Sequence, residues 1–244
     1  MIIFILVNKN LRKTIDILDV AVQSSKVKKI YILLTHQTEI KNHRLSELKK
    51  KYLDKILFFK HNQIGIKGAW IQAMNIAIKE NSDYIIFEND IVPTNFFLEY
   101  AKKCFLFYKN EKKLFCFTGF SPKKNSKISN KLSIDTNLSY RSSSWSFASN
   151  VRVTNDFLLF IKQTSDNKIR QILWENRAKI GKDIYFQCLA DQKNNLNLIG
   201  NIWSAFMIVN KGLCLYPSEH LVSYYGNDNY AENCNKNGQD IISN

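Results

Sequence analysis

Proline and glycine are scarce in this 244-residue chain, at three and eight residues. That excludes a collagen-like, linker-rich or low-complexity protein. Long apolar runs are missing too. Stretches such as 2–7 and 30–34 fall far short of the roughly 20 residues that span a bilayer. Met1-Ile2-Ile3-Phe4 lacks the basic start and small-residue cleavage site of a signal peptide, and is expected to open a first strand. Cys104, Cys116, Cys188, Cys214 and Cys234 are odd in number and scattered, with no CxxC pair or zinc spacing. Reduced thiols in a cytoplasmic protein are therefore expected. There is no HExxH helix, Walker loop or GxSxG elbow, and His36, His43, His61 and His220 are dispersed.

Acidic residues are in the minority, 21 against 35 basic ones, for a net charge of +14. Such a balance calls for an acidic partner: nucleic acid, an anionic membrane surface or a phosphorylated substrate. The lysines cluster at 26, 28 and 29, at 49–51, at 102 and 103, at 112 and 113, and at 123 and 124. Any one of these clusters is accounted for by a solvated helix face or end; together they imply a basic surface.

Hydrophobic residues make up 45% of the chain, enough for one large domain with a sizeable core. Its first half alternates. Strands are expected at 2–7, 30–34, 56–59, 84–87 and 114–118, and helices at 10–23, 45–53, 69–79 and 95–108, with a loop at 62–68. This pattern predicts a mostly parallel, Rossmann-like α/β sheet flanked by helices. After Phe120 the pattern changes. A polar stretch at 121–144 is expected to hold a short strand near 131–133. Helices follow at 155–164, 168–179, 183–191 and 203–209, then a strand at 213–216 and an irregular polar tail. The reading is a single domain with a nucleotide-binding half, 1–120, and a less regular acceptor-side half, 121–244.

One stretch concentrates chemistry. Residues 83–93 read Asp-Tyr-Ile-Ile-Phe-Glu-Asn-Asp-Ile-Val-Pro, an apolar run ending in Glu88 and Asp90. Open α/β sheets place ligands at the carboxyl ends of their strands. Two carboxylates spaced i, i+2 can share a divalent cation, with substrate phosphates completing its shell. The competing account is a charged strand end in water. Gly65 and Gly68 flank Lys67 just before a helix whose N-terminus favours anions, though taken alone these glycines are better explained by an ordinary turn.

The ordered set of blocks resembles the bacterial GT-A-fold glycosyltransferases, in particular those that build surface polysaccharides. The resemblance runs from Ile2 to Cys234. It rests on Val7-Asn8 with Leu11-Arg12-Lys13-Thr14, on Asn62-Gln63-Ile64-Gly65, on Glu88-Asn89-Asp90 in the place of the acidic metal motif, on residues 143–148, and on Gly212-Leu213, Leu215-Tyr216-Pro217, Leu221-Val222, Gly226 and Asp228. It implies a UDP-linked or related nucleotide-sugar donor and an Mn2+ or Mg2+ ion at Asp90, Glu88 and Asn233. Val7, Asn8, Asn62, Gly65, Lys67 and Asn89 would lie beside the donor. Trp145 and Asp228 would face an oligosaccharide or lipid-linked glycan acceptor, with the enzyme on the cytoplasmic face of a membrane. Trp145 and Trp203 fall in the acceptor-side blocks, whereas Trp70 and Trp174 are expected to pack. An inverting transfer needs a general base, for which Asp191 is the first candidate and Asp183 the second.

The chain departs from the family pattern. Asn89 replaces an acidic residue, Asn233 stands where a histidine is expected, Phe147 and Asn150 take positions usually held by tryptophan, and Thr35-His36 ends the second strand where an acid often reads the nucleotide. Three alternatives follow. A sugar-phosphate nucleotidyltransferase uses a similar sheet, but the first turn, Asn8-Lys9-Asn10-Leu11-Arg12, has no glycine. A non-catalytic transferase homologue is the second. A basic nucleic-acid-binding module is the third; the aromatics are not interleaved with the basic clusters, so no nucleic-acid partner is expected.

Overall fold

The computed structural model describes residues 1–7, 12–34, 46, 47, 50–52, 54–60, 65–107, 109–122, 136–194 and 198–225. Three parallel pairings build its first half. β1 (Ile2–Val7) lies between β2 (Lys29–Leu34) and β4 (Tyr84–Glu88), and β3 (Ile56–Lys60) extends β2 outward. Beyond β4 the sheet turns mixed. The strands there are β8 (Phe147–Ser149), β6 (Leu114–Phe117), β9 (Leu213–Pro217) and β7 (Thr136–Ser139). The full order is β3-β2-β1-β4-β8-β6-β9-β7, with β8 antiparallel to both its neighbours. A two-stranded ribbon pairs β5 (Ile91–Pro93) with β10 (Val222–Tyr224). The expected α/β fold class is the observed one.

Both faces of the sheet are covered, which is why its central strands read as unbroken apolar runs. Successive side chains point to opposite faces. Ile2, Phe4 and Leu6 join one core; Ile3, Ile5 and Val7 join the other. The second core is closed by α1 (Arg12–Gln23) and α3 (Asn95–Phe107), through Ile17, Leu18, Phe97 and Ala101. The first is closed by α2 (Ile66–Lys79), α4 (Val151–Gln163), α5 (Asp166–Glu175), α6 (Arg177–Ile180), α7 (Lys182–Asn194) and α8 (Ile199–Val209). At its centre Trp203 stacks on Phe157, 4.0 Å apart and 7° from parallel, and Phe147 bridges Trp70 and Trp203.

Several expectations change in detail. Helix α2 starts at Ile66, three residues before the expected 69, because Gly65 takes φ 92° and its carbonyl already accepts the Ala69 amide at 3.3 Å. The helix expected at 155–164 begins at Val151, where Asn150 caps it by accepting the Val153 amide at 3.1 Å. That bond accounts for an asparagine at a position where the family resemblance leads one to expect tryptophan. The single helix expected at 168–179 is two, α5 and α6. Trp203 is buried in the core, not set on an acceptor-facing surface, and Trp174, expected to pack in the core or at an interface, is 43% exposed with its ring against Tyr185 and Arg177. The tail carries β10 within the stretch read as irregular. The strand expected near 131–133 lies outside the described residues, as does much of the helix at 45–53.

Candidate functional site

In this sheet the chain steps outward from β1 through β2 to β3, then returns to the other side of β1 as β4. The crevice outside the carboxyl ends of β1 and β4 is therefore the topological switch point, the place where such sheets bind ligands. Val7 ends β1 and Glu88 ends β4, level with Leu6. The Asn89 amide donates to the Leu6 carbonyl at 3.0 Å and so ties the acidic turn to β1.

Strand parity decides where Glu88 points. Tyr84 and Ile86 face the first core, so Glu88 faces it as well, toward α2. Trp70, in the second turn of α2 and fully buried, turns its indole N–H toward Glu88. The approach favours the ionised carboxylate but does not reach ordinary hydrogen-bond geometry. Ser144, from the loop between β7 and β8, adds a second favourable contact. These do not offset two stronger effects. Burial, and then the charge of Asp90, push the Glu88 carboxyl up to about 8. Part of the residue stays accessible, yet the carboxyl is surrounded closely enough for desolvation to dominate.

Asp90 sits in the turn between β4 and β5, with its Oδ1 sealed from solvent. Its backbone carbonyl accepts the Tyr225 amide at 2.9 Å, which pins the end of the β5–β10 ribbon over the turn. Lys13, in the first turn of α1, lies 3.8 Å from the Tyr225 ring centre. The N-terminus of α2 borders the crevice too, since Trp70 reaches Glu88 from there; Gly65 and Lys67 stand at that helix start. The crevice thus joins a helix N-terminus and lysine charge to two mutually repelling carboxylates.

That donor set fits a divalent cation. Two carboxylates that hold one ionisation back are relieved by a positive ion between them. Among the described residues no group of three His, Cys, Asp or Glu could complete a protein-only cage. Water or ligand oxygens would have to fill the rest of the shell, as suits magnesium or manganese.

Loop 140–146, which carries Trp145, is built on several supports. Trp145 stacks on Tyr224 at 4.4 Å and 18°, and meets Phe120 edge to face at 4.7 Å, while Phe120 packs on His220 at 5.0 Å. One face of Trp145 is therefore already covered. The loop is fixed at several points: Ser142 Oγ donates to the Gly200 carbonyl at 2.7 Å, the Tyr216 hydroxyl donates to the Arg141 carbonyl at 2.8 Å, and the Gly119 amide donates to Ser146 Oγ at 2.8 Å. The last bond holds Ser146 at φ 56°, an uncommon conformation for a residue other than glycine. Burial lowers the His220 pKa, and its Nδ1 accepts the Ser121 amide at 3.1 Å.

Asp183 opens α7 after Gly181 at φ 93°, and its carboxylate pairs with the Arg141 guanidinium at 2.7 Å. Asp191 falls farther along the same helix; its side chain, like Asn8, Asn62, Asp228 and Asn233 entirely, lies outside the described residues. The structure thus brings together Val7, Gly65, Lys67, Glu88, Asn89 and Asp90, and sets Trp145 and Asp183 on loop 140–146 and its partner helix. Sequence reasoning missed Lys13 as a neighbour of the site, and Trp70 and Ser144 as the groups that touch Glu88. A tryptophan soon after a glycine-started helix was the available signal, read as packing alone. Elsewhere, a cavity of about 390 Å³ opens at the amino ends of the strands, lined by Lys28, Asp83, Lys109 and Arg152 among others. It is far from the carboxylate pair and is not at the switch point.

No family model and no curated protein matches the chain. Solved structures do. The chain is similar to S. aureus TarS residues 1–349 at 10% identity and TM-score 0.49, over 93% of this chain and 61% of that one. It is similar to the mannosyltransferase PcManGT of Pyrobaculum calidifontis, solved with GDP-Man and Mn2+, at 9% identity and TM-score 0.45, over 85% and 73%. It is also similar to 4-diphosphocytidyl-2C-methyl-D-erythritol synthase of Anaerococcus prevotii, at 8% identity and TM-score 0.44, over 68% and 78%.

Proposed function

We propose that this chain is a glycosyltransferase that moves a sugar from a nucleotide-diphosphate donor, UDP-linked in the first instance, to a growing cell-surface glycan. The observation that supports it is the meeting of Glu88 and Asp90 with the end of β1 and the start of α2 at one switch point. On this reading residues 1–120 hold the donor, and residues 121–244 face the acceptor.

Each group has work suited to its position. Val7 and Asn8 border the base and ribose, as the family resemblance implies. Asn62, Gly65, Lys67 and the first amides of α2 bring positive potential to the diphosphate. Asp90 is the principal ligand for Mn2+ or Mg2+, Glu88 a weaker one that ionises as the cation arrives, and Asn233 an oxygen donor from the tail. The cation would supply Lewis-acid stabilisation of the charge on the departing diphosphate. Trp145 and Asp228 face the acceptor, an oligosaccharide or lipid-linked glycan, at the cytoplasmic side of a membrane. Asp191 is the preferred base for taking the acceptor proton, because the Asp183 carboxylate is engaged by Arg141.

Thermal-shift measurements with UDP-, GDP-, CDP- and dTDP-sugars, with and without Mn2+, test the donor. A selective rise of several degrees that needs the metal is expected, since a ligand at 100 times its Kd adds about 2.7 kcal/mol. No shift with any nucleotide sugar, beside release of pyrophosphate from a nucleoside triphosphate and a sugar phosphate, would replace this reading with a nucleotidyltransferase.

A further inference from the structure

Among the described residues the two most exposed large apolar side chains are neighbours. Leu106 is 66% exposed and Phe107 80%, in the last turn of α3. The buried face of that helix is occupied by Phe97, Leu98, Tyr100, Ala101 and Cys104, and Phe105 turns inward to meet Phe117 at 4.7 Å. Leu106 and Phe107 therefore project away from the core, not toward it. Single exposed apolar residues are ordinary; what sets this pair apart is its surroundings. Lys102 and Lys103 precede it by one helical turn, and Lys109, Lys112 and Lys113 follow at once, all exposed except the partly covered Lys102. A bond from the Leu213 amide to the Lys113 carbonyl, 2.7 Å, brings the turn of exposed Lys211 alongside. Of the acids nearby, Glu99 lies 4.0 Å from Lys102, Asp83 is close enough to feel the charge of Lys109, and Glu111 accepts the Lys113 backbone amide at 3.0 Å.

An apolar apex ringed by lysine ammonium groups matches the boundary of an anionic bilayer, where hydrocarbon lies beneath a layer of phosphates. The basic residues of the stretch itself are all lysine. Flexible point charges suit a fluid layer of headgroups, whereas fixed recognition of nucleic acid or of carboxylates favours the planar fork of arginine. We propose that the end of α3 and the turn after it, through Lys102, Lys103, Lys109, Lys112 and Lys113, dock the protein on an anionic lipid bilayer, Leu106 and Phe107 entering the interface while the lysines meet headgroup phosphates.

Co-sedimentation of the full chain with vesicles tests the docking without any donor or transfer, so its failure and that of the transferase reading are separate outcomes. Binding to mixed phosphatidylglycerol–phosphatidylcholine vesicles is expected, at least tenfold tighter than to phosphatidylcholine alone and weakened by salt. Leu106→Ser with Phe107→Ser is expected to loosen it about tenfold or more. Lys112→Glu with Lys113→Glu is expected to loosen it by roughly fivefold for each lysine. Lys168→Glu, at an exposed position of helix α5, serves as the charge control and leaves binding nearly unchanged. Because every position is at the surface, circular dichroism is expected to report folded variants. Equal binding to both vesicle types, no binding, or binding that ignores the loss of Leu106 and Phe107 overturns the proposal. Binding of an RNA homopolymer in place of vesicles overturns it in favour of a nucleic-acid partner.

Discussion

Glu80 and Glu88 stand at opposite edges of the same sheet and have opposite fates. At the amino edge Glu80 caps α2 and receives two bonds from Lys29 Nζ, both 2.8 Å, and one from the Tyr31 hydroxyl at 2.7 Å. The Lys29 bond, with help from Tyr31, lowers its pKa. At the carboxyl edge Glu88 is buried beside Asp90, and its pKa rises to about 8. One edge favours the ionised form of its acid; the other holds a buried carboxyl protonated beside a second acid. Perturbed carboxylates of the second kind concentrate where a ligand supplies what the fold omits. The contrast is why the switch point, and not the cavity at the amino edge, is read as the site.

The largest effect should come from removing Asp90. Asp90→Ala is expected to reduce donor hydrolysis and glycosyl transfer by about 10²–10³-fold, the range for deleting one preorganised electrostatic group. The fold should survive, because the turn is held through the backbone bond from Tyr225 to the Asp90 carbonyl. Unchanged turnover with Mn2+ present would detach the acidic turn from the chemistry and leave the two edges without functional contrast.

Glu88→Gln sharpens the comparison through stability. In the native state Glu88 keeps its proton up to about pH 8, whereas in the unfolded chain it loses it near 4.5. The folded state thus holds more protons across that window, and its stability falls as pH rises through it. Glutamine cannot ionise. The variant should match the parent at pH 4 and exceed it at pH 8 by on the order of a few kcal/mol, read by urea denaturation with chelator present. A parent whose stability does not decline between these pH values would contradict the buried-pair description. Ser144→Ala should act more weakly, about 1 kcal/mol. Ser144 favours the ionised form, so its loss moves the midpoint of the same decline to higher pH.

How much of this was legible in the sequence differs between the long and the short strands for one physical reason. Ile2–Val7, Lys29–Leu34 and Tyr84–Glu88 are covered on both faces, so burial writes itself as a continuous apolar run. Ile91–Pro93, Phe147–Ser149 and Val222–Tyr224 are three residues each, too short for any period, and each pairs with a strand distant in sequence. The carboxylates at 88 and 90 were visible as chemistry. Their electrostatics were not, because Trp70 and Ser144 arrive at Glu88 from separate elements. Trp203 shows the opposite limit: its block pointed to an acceptor surface, yet the ring stacks on Phe157 in the core.

The smallest effect belongs to the satisfied edge and tests the other side of the contrast. Glu80 has a lowered folded pKa, so its stabilisation is present above pH 4.5 and is lost as pH falls through the folded value. Lys29 and Glu80 keep side-chain exposures of 38% and 29%, which screens the pair. Glu80→Gln should therefore cost only about 0.2–1 kcal/mol at neutral pH and nothing in acid, with no change in donor turnover. The two glutamine variants thus move stability in opposite directions at pH 8. If they move it the same way, sheet-edge burial, not the identity of the neighbours, sets the energetics at both positions.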